Sequence, residues 1–179
     1  ARTARAAACS AGANSAGASK GGSSSTRSTL AGVSSRSAAA AWLRAAKYHE
    51  TASYAAYLEK GPEDGVARFD ELWERYRAAW DAFLGAVDWS NEAIEVPYEG
   101  TTLPGYLCLV DGNGTSRPTL IVHTGFDGTG EELYFGVAKF AIDRGYNVLI
   151  FEGPGQGEMI RVQGMPFRPD WEAAVTPVI

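Results

Sequence analysis

At 179 residues, 45% hydrophobic and 21% charged with a formal net charge of −5, the chain has the composition of an ordinary globular domain with or without an appendage. It holds no apolar run near the ~20 residues a membrane span needs and no basic stripe for nucleic acid. Its two isolated cysteines, Cys9 and Cys108, lack the spacing of a disulfide framework or a thiolate zinc site.

The average hides a division. Residues 1–37 carry ten Ala, ten Ser, five Gly and five basic residues with no acid and no aromatic, so residues 38–179 hold all 21 carboxylates and every aromatic ring. So little apolar surface cannot offset the entropy of ordering, and 1–37 reads as a disordered segment without chemistry. Its Arg- and Ser-rich composition is that of an organelle transit peptide, but no apolar signal core accompanies it, which leaves a targeting segment and an artefactual tail both open. Gly17-Ala18-Ser19-Lys20-Gly21 fits GxSxG but lacks the strand before and helix after that a strained nucleophile turn requires, so Ser19 is rejected.

Helical spacing marks residues 38–88. Ser37 is a plausible N-cap for a helix carrying Trp42, Leu43, Ala46, Ser53, Tyr54, Tyr57 and Leu58 along one side, and Gly61-Pro62 is expected to end it. A second helix follows, with Val66, Phe69, Trp73, Tyr76, Trp80, Phe83 and Val87 in alternating steps of three and four. Two uses fit the stripe: packing of an antiparallel pair on a neighbouring domain, favoured because aromatic stripes are usually core, or a coiled-coil or substrate-covering module. His49 has no second ligand at metal-binding spacing.

From residue 92 the pattern changes. Ile94, Val96 and Tyr98 alternate with Glu95, Pro97 and Glu99, Gly100-Thr101 turns the chain, and 103–110 returns as the second strand of a hairpin. Asn113-Gly114-Thr115 fits a glycosylation sequon but reads as a turn. The run 119–123 predicts a strand covered on both faces. A helix over about 131–144 follows, with Leu133, Val137, Phe140 and Ala141 apolar and Gly145 as its cap, then a parallel strand at 146–151. Asp170 is positioned to cap a last helix containing Trp171, Ala174 and Val175.

Ligands of open α/β sheets sit beyond the C-terminal strand ends, where both glycine loops fall. In His123-Thr124-Gly125-Phe126-Asp127-Gly128, amides near Gly125 and Phe126 can face a developing oxyanion; an ordinary βα turn accounts for the spacing equally well. Residues 153–157 read GxGxG rather than GxGxxG, and Pro154 removes a donor, so nucleotide binding fails on detail.

Three motifs, PTLIVHTGFDGTGEELYF (118–135), RGYNVLIFEGPGQGEMIR (144–161) and QGMPFRPDWEAAVTPVI (163–179), together resemble the α/β-hydrolase superfamily. The likeness is to its branch with an N-terminal helical region, which holds the pseudooxynicotine-type C–C hydrolases and the fungal hydrolases that shorten polyketide pigment precursors. It implies an α/β fold in which 92–179 is the first part of the hydrolase sheet, preceded by the helices of 38–88. It places Gly125 and Phe126 at the first oxyanion-hole position and Asp127 where the branch carries an acid, there a Glu, that assists catalysis or positions substrate. The Glu152–Glu158 loop would shape the site wall. The family order of Ser, acid, His, with Ser on an elbow after the next strand, puts the triad beyond Ile179, and His123 precedes that elbow.

The expectation is therefore the N-terminal part of a serine hydrolase cleaving a C–C, ester or amide bond of a small acyl or polyketide-like molecule, without cofactor or metal. It is expected to be cytoplasmic, to bind neither nucleic acid nor membrane, and to be inactive as it stands; homo-oligomerisation is left open. The alternative is a non-enzymatic remnant or a partner-binding helical module.

Overall fold

The computed structural model describes the backbone of residues 24–179 and the side chains of 35–56 and 65–179. Helical backbone runs from Ser24 to Leu84 (α1), so it begins before Ser37, and the expected disorder does not hold for 24–37; residues 1–23, with Cys9 and Ser19, lie outside the described residues. Nor does Gly61-Pro62 end the helical run. A straight helix of 61 residues would span about 90 Å. Instead Ser35 Oγ donates to the Ala86 carbonyl at 2.8 Å, and Tyr54 and Phe69 flank one guanidinium, so the chain reverses between them. The two arms are thus the antiparallel pair that the spacing anticipates, and the reversal contains the proline, which removes a helical donor.

The second arm forms the core. Phe69, Trp73, Tyr76, Trp80 and Phe83 are buried with Tyr106, Cys108, Tyr134, Val148 and Ile150. Trp80 lies 4.9 Å from Phe83 and 5.9 Å from Tyr106, ring to ring, and such pairs add about 0.5–1.5 kcal/mol each beyond burial. The stripe therefore packs against the sheet and is not a free partner-binding surface, although Val66 at its start is exposed. On the first arm the buried positions are Ala39, Ala46, Glu50, Ser53 and Ala56, whereas Trp42 faces outward.

The hairpin is present as β1 (Ser90–Tyr98) and β2 (Thr101–Leu109), with Tyr98 opposite Thr101. Glu99 and Gly100, at φ 39° and 83°, make the two-residue turn whose twist suits a hairpin. With β3 (Thr119–Val122) and β4 (Asn147–Phe151) they form one mixed sheet in the order β1-β2-β4-β3, β3 and β4 parallel as expected. Because β3 is the edge, its Leu120 and Ile121 are exposed rather than covered on both faces.

Between β3 and β4 the expected helix is a wide π-helical turn, Tyr134–Ala138, where the Lys139 amide reaches back to the Tyr134 carbonyl, continued by α2 (Lys139–Ile142). Tyr134 and Ala138 face the core and Phe140 faces out. Gly145, at φ 85°, ends it as anticipated, with the Tyr146 amide bonded to Ala141 O. Two short helices follow: α3 (Gly157–Arg161) and α4 (Glu172–Val175). Asp170 makes no side-chain cap; it pairs with Arg168 at 2.5 Å. Among the described residues no helix is long and apolar enough to cross a membrane.

Candidate functional site

The loops leaving β3 and β4, residues 123–130 and 152–157, meet at the C-terminal ends of those strands. Their backbones interlock: the Asp127 amide donates to Gly155 O at 2.8 Å and the Gly157 amide to Gly128 O at 2.9 Å. Gly155 is at φ 81°, and a Cβ there would lie 2.5 Å from Phe167 Cβ, so this close approach requires glycine.

Gly125, Phe126 and Asp127 are brought together on this edge. Gly125 and Phe126 are exposed, and among the described residues their amides donate to no protein acceptor, whereas those of Asp127 and Gly128 are taken by Gly155 and Gly125 carbonyls. Asp127 stands at φ 64°, which Asp tolerates better than most residues. Its carbonyl accepts the Tyr54 hydroxyl at 2.9 Å, and its carboxylate is ion-paired with Arg161 of α3. The Arg161 guanidinium in turn lies 4.8 Å from the Tyr54 ring centroid and 5.5 Å from that of Phe69.

His123 is fully engaged. Its Nε2 is 3.3 Å from the Trp171 indole N–H, which can only donate, so Nδ1 carries the proton and gives it to Thr124 O at 2.8 Å. Buried Gln156 holds the same corner, accepting the Gly153 amide and donating to Thr124 O. Phe126, Phe167 and Trp171 form an aromatic row beside it, with Phe167 and Trp171 stacked at 5.2 Å.

Behind the loops lies a charged network that spacing did not reveal. Thr129 Oγ1 donates to Glu50 of the first arm at 2.8 Å, and Tyr76 of the second arm donates to Thr129 at 3.1 Å. Arg77 and the Tyr106 hydroxyl both donate to Glu131 Oε1, at 2.6 and 3.0 Å. Glu152 accepts the Gly130 amide of the first loop at 2.6 Å and the Glu158 amide of α3 at 2.8 Å. Burial, reinforced by the Glu131 charge and opposed by Arg77, pushes the Glu152 carboxyl up to about 7. Burial likewise raises Glu50 from its ordinary value despite Lys47. One signal was available: Glu131 and Glu152 are acids set among the small and apolar residues of EELYF and EGPGQGE.

The site offers little nucleophilic chemistry. Cys108 is buried in the core with its thiol pushed up to about 12 by that burial. Among the described residues no group of three or more His, Cys, Asp or Glu is placed to hold a metal ion. What the edge presents is a pair of amides uncommitted among the described residues, beside an aromatic wall.

No protein-family profile matches the chain. It is 39% identical over 144 residues to the alpha/beta hydrolase psoB of Aspergillus fumigatus, covering 78% of this chain and 32% of that protein. To the hydrolase acrC of Aspergillus aculeatus it is 38% identical over 156 residues, 79% of this chain and 36% of that one. The crystal structure of the 2,6-dihydroxy-pseudo-oxynicotine hydrolase superposes with a TM-score of 0.52 at 23% identity, over 86% of this chain and 43% of that one, a likeness of fold. The chain thus spans about a third of the length of the curated relatives it matches.

Proposed function

Since the chain belongs to the α/β-hydrolase superfamily, we propose that it supplies the oxyanion-binding side of a hydrolase acting on a small acyl or polyketide-like molecule. One observation carries the reading. Gly125 and Phe126 expose uncommitted amides at the end of β3, while the amides that follow are committed to the loops themselves. A carbonyl attacked by a nucleophile places negative charge on its oxygen, and fixed N–H dipoles in a partly dry site stabilise that charge without reorganising.

In this reading a serine, with its acid and its histidine, belongs to the part of the relatives' length that the chain does not span. The serine oxygen adds to the substrate carbonyl, the Phe126 amide receives the oxyanion, and water later hydrolyses the acyl-enzyme. The engaged His123 and buried Cys108 support a nucleophile from elsewhere. The 179 residues alone are then without turnover, and the bond cleaved, C–C, ester or amide, is set by the substrate the whole site admits.

The test is Phe126→Pro in the whole protein, which deletes the amide hydrogen. Hydrolysis of p-nitrophenyl acetate should lose about 10²–10³-fold in kcat with KM little changed. Circular dichroism and the melting temperature of the variant serve as the folding control. A Phe126→Pro protein that is folded and turns over at the wild-type rate would sink the reading.

A further inference from the structure

We propose that Asp127 is a positioning residue, the point through which Tyr54 of the helical arm and Arg161 of α3 fix the Gly125–Phe126 turn. The inference rests on the oxyanion reading and assigns the helical region a part in it.

Four elements converge on this one residue. The glycine loop takes its amide through Gly155 O, the first arm gives its carbonyl the Tyr54 hydroxyl, and α3 takes its carboxylate through Arg161. The fourth, the second arm, reaches Asp127 through Arg161, whose guanidinium lies over the Phe69 ring as well as the Tyr54 ring. A cation in contact with two aromatic rings keeps its orientation, because both rings attract it and limit its rotamers. Burial and the Asp127 charge hold the Tyr54 hydroxyl above its ordinary range, so it stays protonated and a donor at any working pH.

The consequence is geometric. With its amide, carbonyl and carboxylate all held, Asp127 cannot rotate its flanking peptide planes, and φ 64° is maintained against its intrinsic cost. The peptide before it carries the Phe126 carbonyl, so the turn that directs the Gly125 and Phe126 amides is held from its C-terminal side. A carboxylate so engaged sets geometry; it is not poised to transfer a proton. The arms, far from Asp127 in sequence, thereby become part of the oxyanion machinery.

Two variants test this in the whole protein. Tyr54→Phe removes one hydroxyl and leaves the ring beside Arg161; Asp127→Asn keeps the shape and the tolerance for positive φ but removes the charge. Each should speed hydrogen exchange of the Asp127 amide, now held by Gly155. Each should lower kcat for p-nitrophenyl acetate about tenfold with KM little moved, and each should leave the shape of the pH–rate profile intact, with circular dichroism reporting the fold. Wild-type exchange and kcat in both variants would overturn the proposal, as would loss of one limb of the pH profile in Asp127→Asn, the mark of a proton-transfer role. The two readings separate cleanly. If Phe126→Pro abolishes turnover while Tyr54→Phe exchanges and turns over like wild type, only the positioning role fails. If Tyr54→Phe exchanges faster while Phe126→Pro turns over normally, only the oxyanion reading fails.

Discussion

Glu152 leaves a buried strand and ties the first site loop to α3 by accepting the Gly130 and Glu158 amides. The folded protein keeps its proton up to about pH 7, while an unfolded chain releases it near the ordinary value of 4.5. Between those values the folded state binds more protons than the unfolded one, so stability falls as pH rises and the loss is complete above about pH 7. The melting temperature of the wild type should therefore decline from about pH 5 to about pH 7.5 more steeply than that of Glu152→Gln, which has no proton to lose; equal slopes would refute the assignment. At this scale the sequence showed the loop but not its supports. Gly125 and Phe126 stand out because a glycine turn follows an apolar run, whereas Asp127 is marked only by the family resemblance. Tyr54 lies 73 residues from the carbonyl it holds, and no local pattern marks such a partner.

Among the elements, helical periodicity works where burial is apolar and fails where it is not. The second arm shows its face because Phe69, Trp73, Tyr76, Trp80 and Phe83 are all large and buried. The first arm turns Ala39, Ala46, Glu50 and Ser53 inward; the spacing places Ala46 and Ser53 on that side, but small Ala39 and charged Glu50 escape hydropathy, and Trp42 misleads. The asymmetry makes a direct comparison. Trp80→Ala should cost about 3–5 kcal/mol in urea unfolding through lost burial and a cavity, and Trp42→Ala should stay within about 0.5 kcal/mol. Similar losses for the two tryptophans would mean that the arms are packed otherwise. Strand pairing was legible from alternation and turn chemistry, but the exposure of β3 depends on its place at the edge of the sheet, which its own residues do not encode. The five-residue α3 is too short for any periodicity to show.

For the molecule as a whole, the arms and the sheet form one body whose aromatic core is continuous from Phe69 to Ile150. The same arrangement that buries this core sets Tyr54 against the oxyanion loop, so packing and site geometry share a cause. The α/β class, the hairpin and the parallel β3–β4 pair could be read from sequence because each rests on local pattern. The charged network between arms and loops could not, because it joins residues that only the folded chain brings together. The central claim is that the Gly125 and Phe126 amides receive the charge of a tetrahedral intermediate. Its most direct measurement is the amide proton spectrum of the isotope-labelled whole protein before and after covalent inhibition by a p-nitrophenyl alkylphosphonate, whose oxygen mimics that charge. The amide protons of Phe126 and Gly125 should move downfield on inhibition, and an inhibited enzyme in which both stay in place would contradict the account.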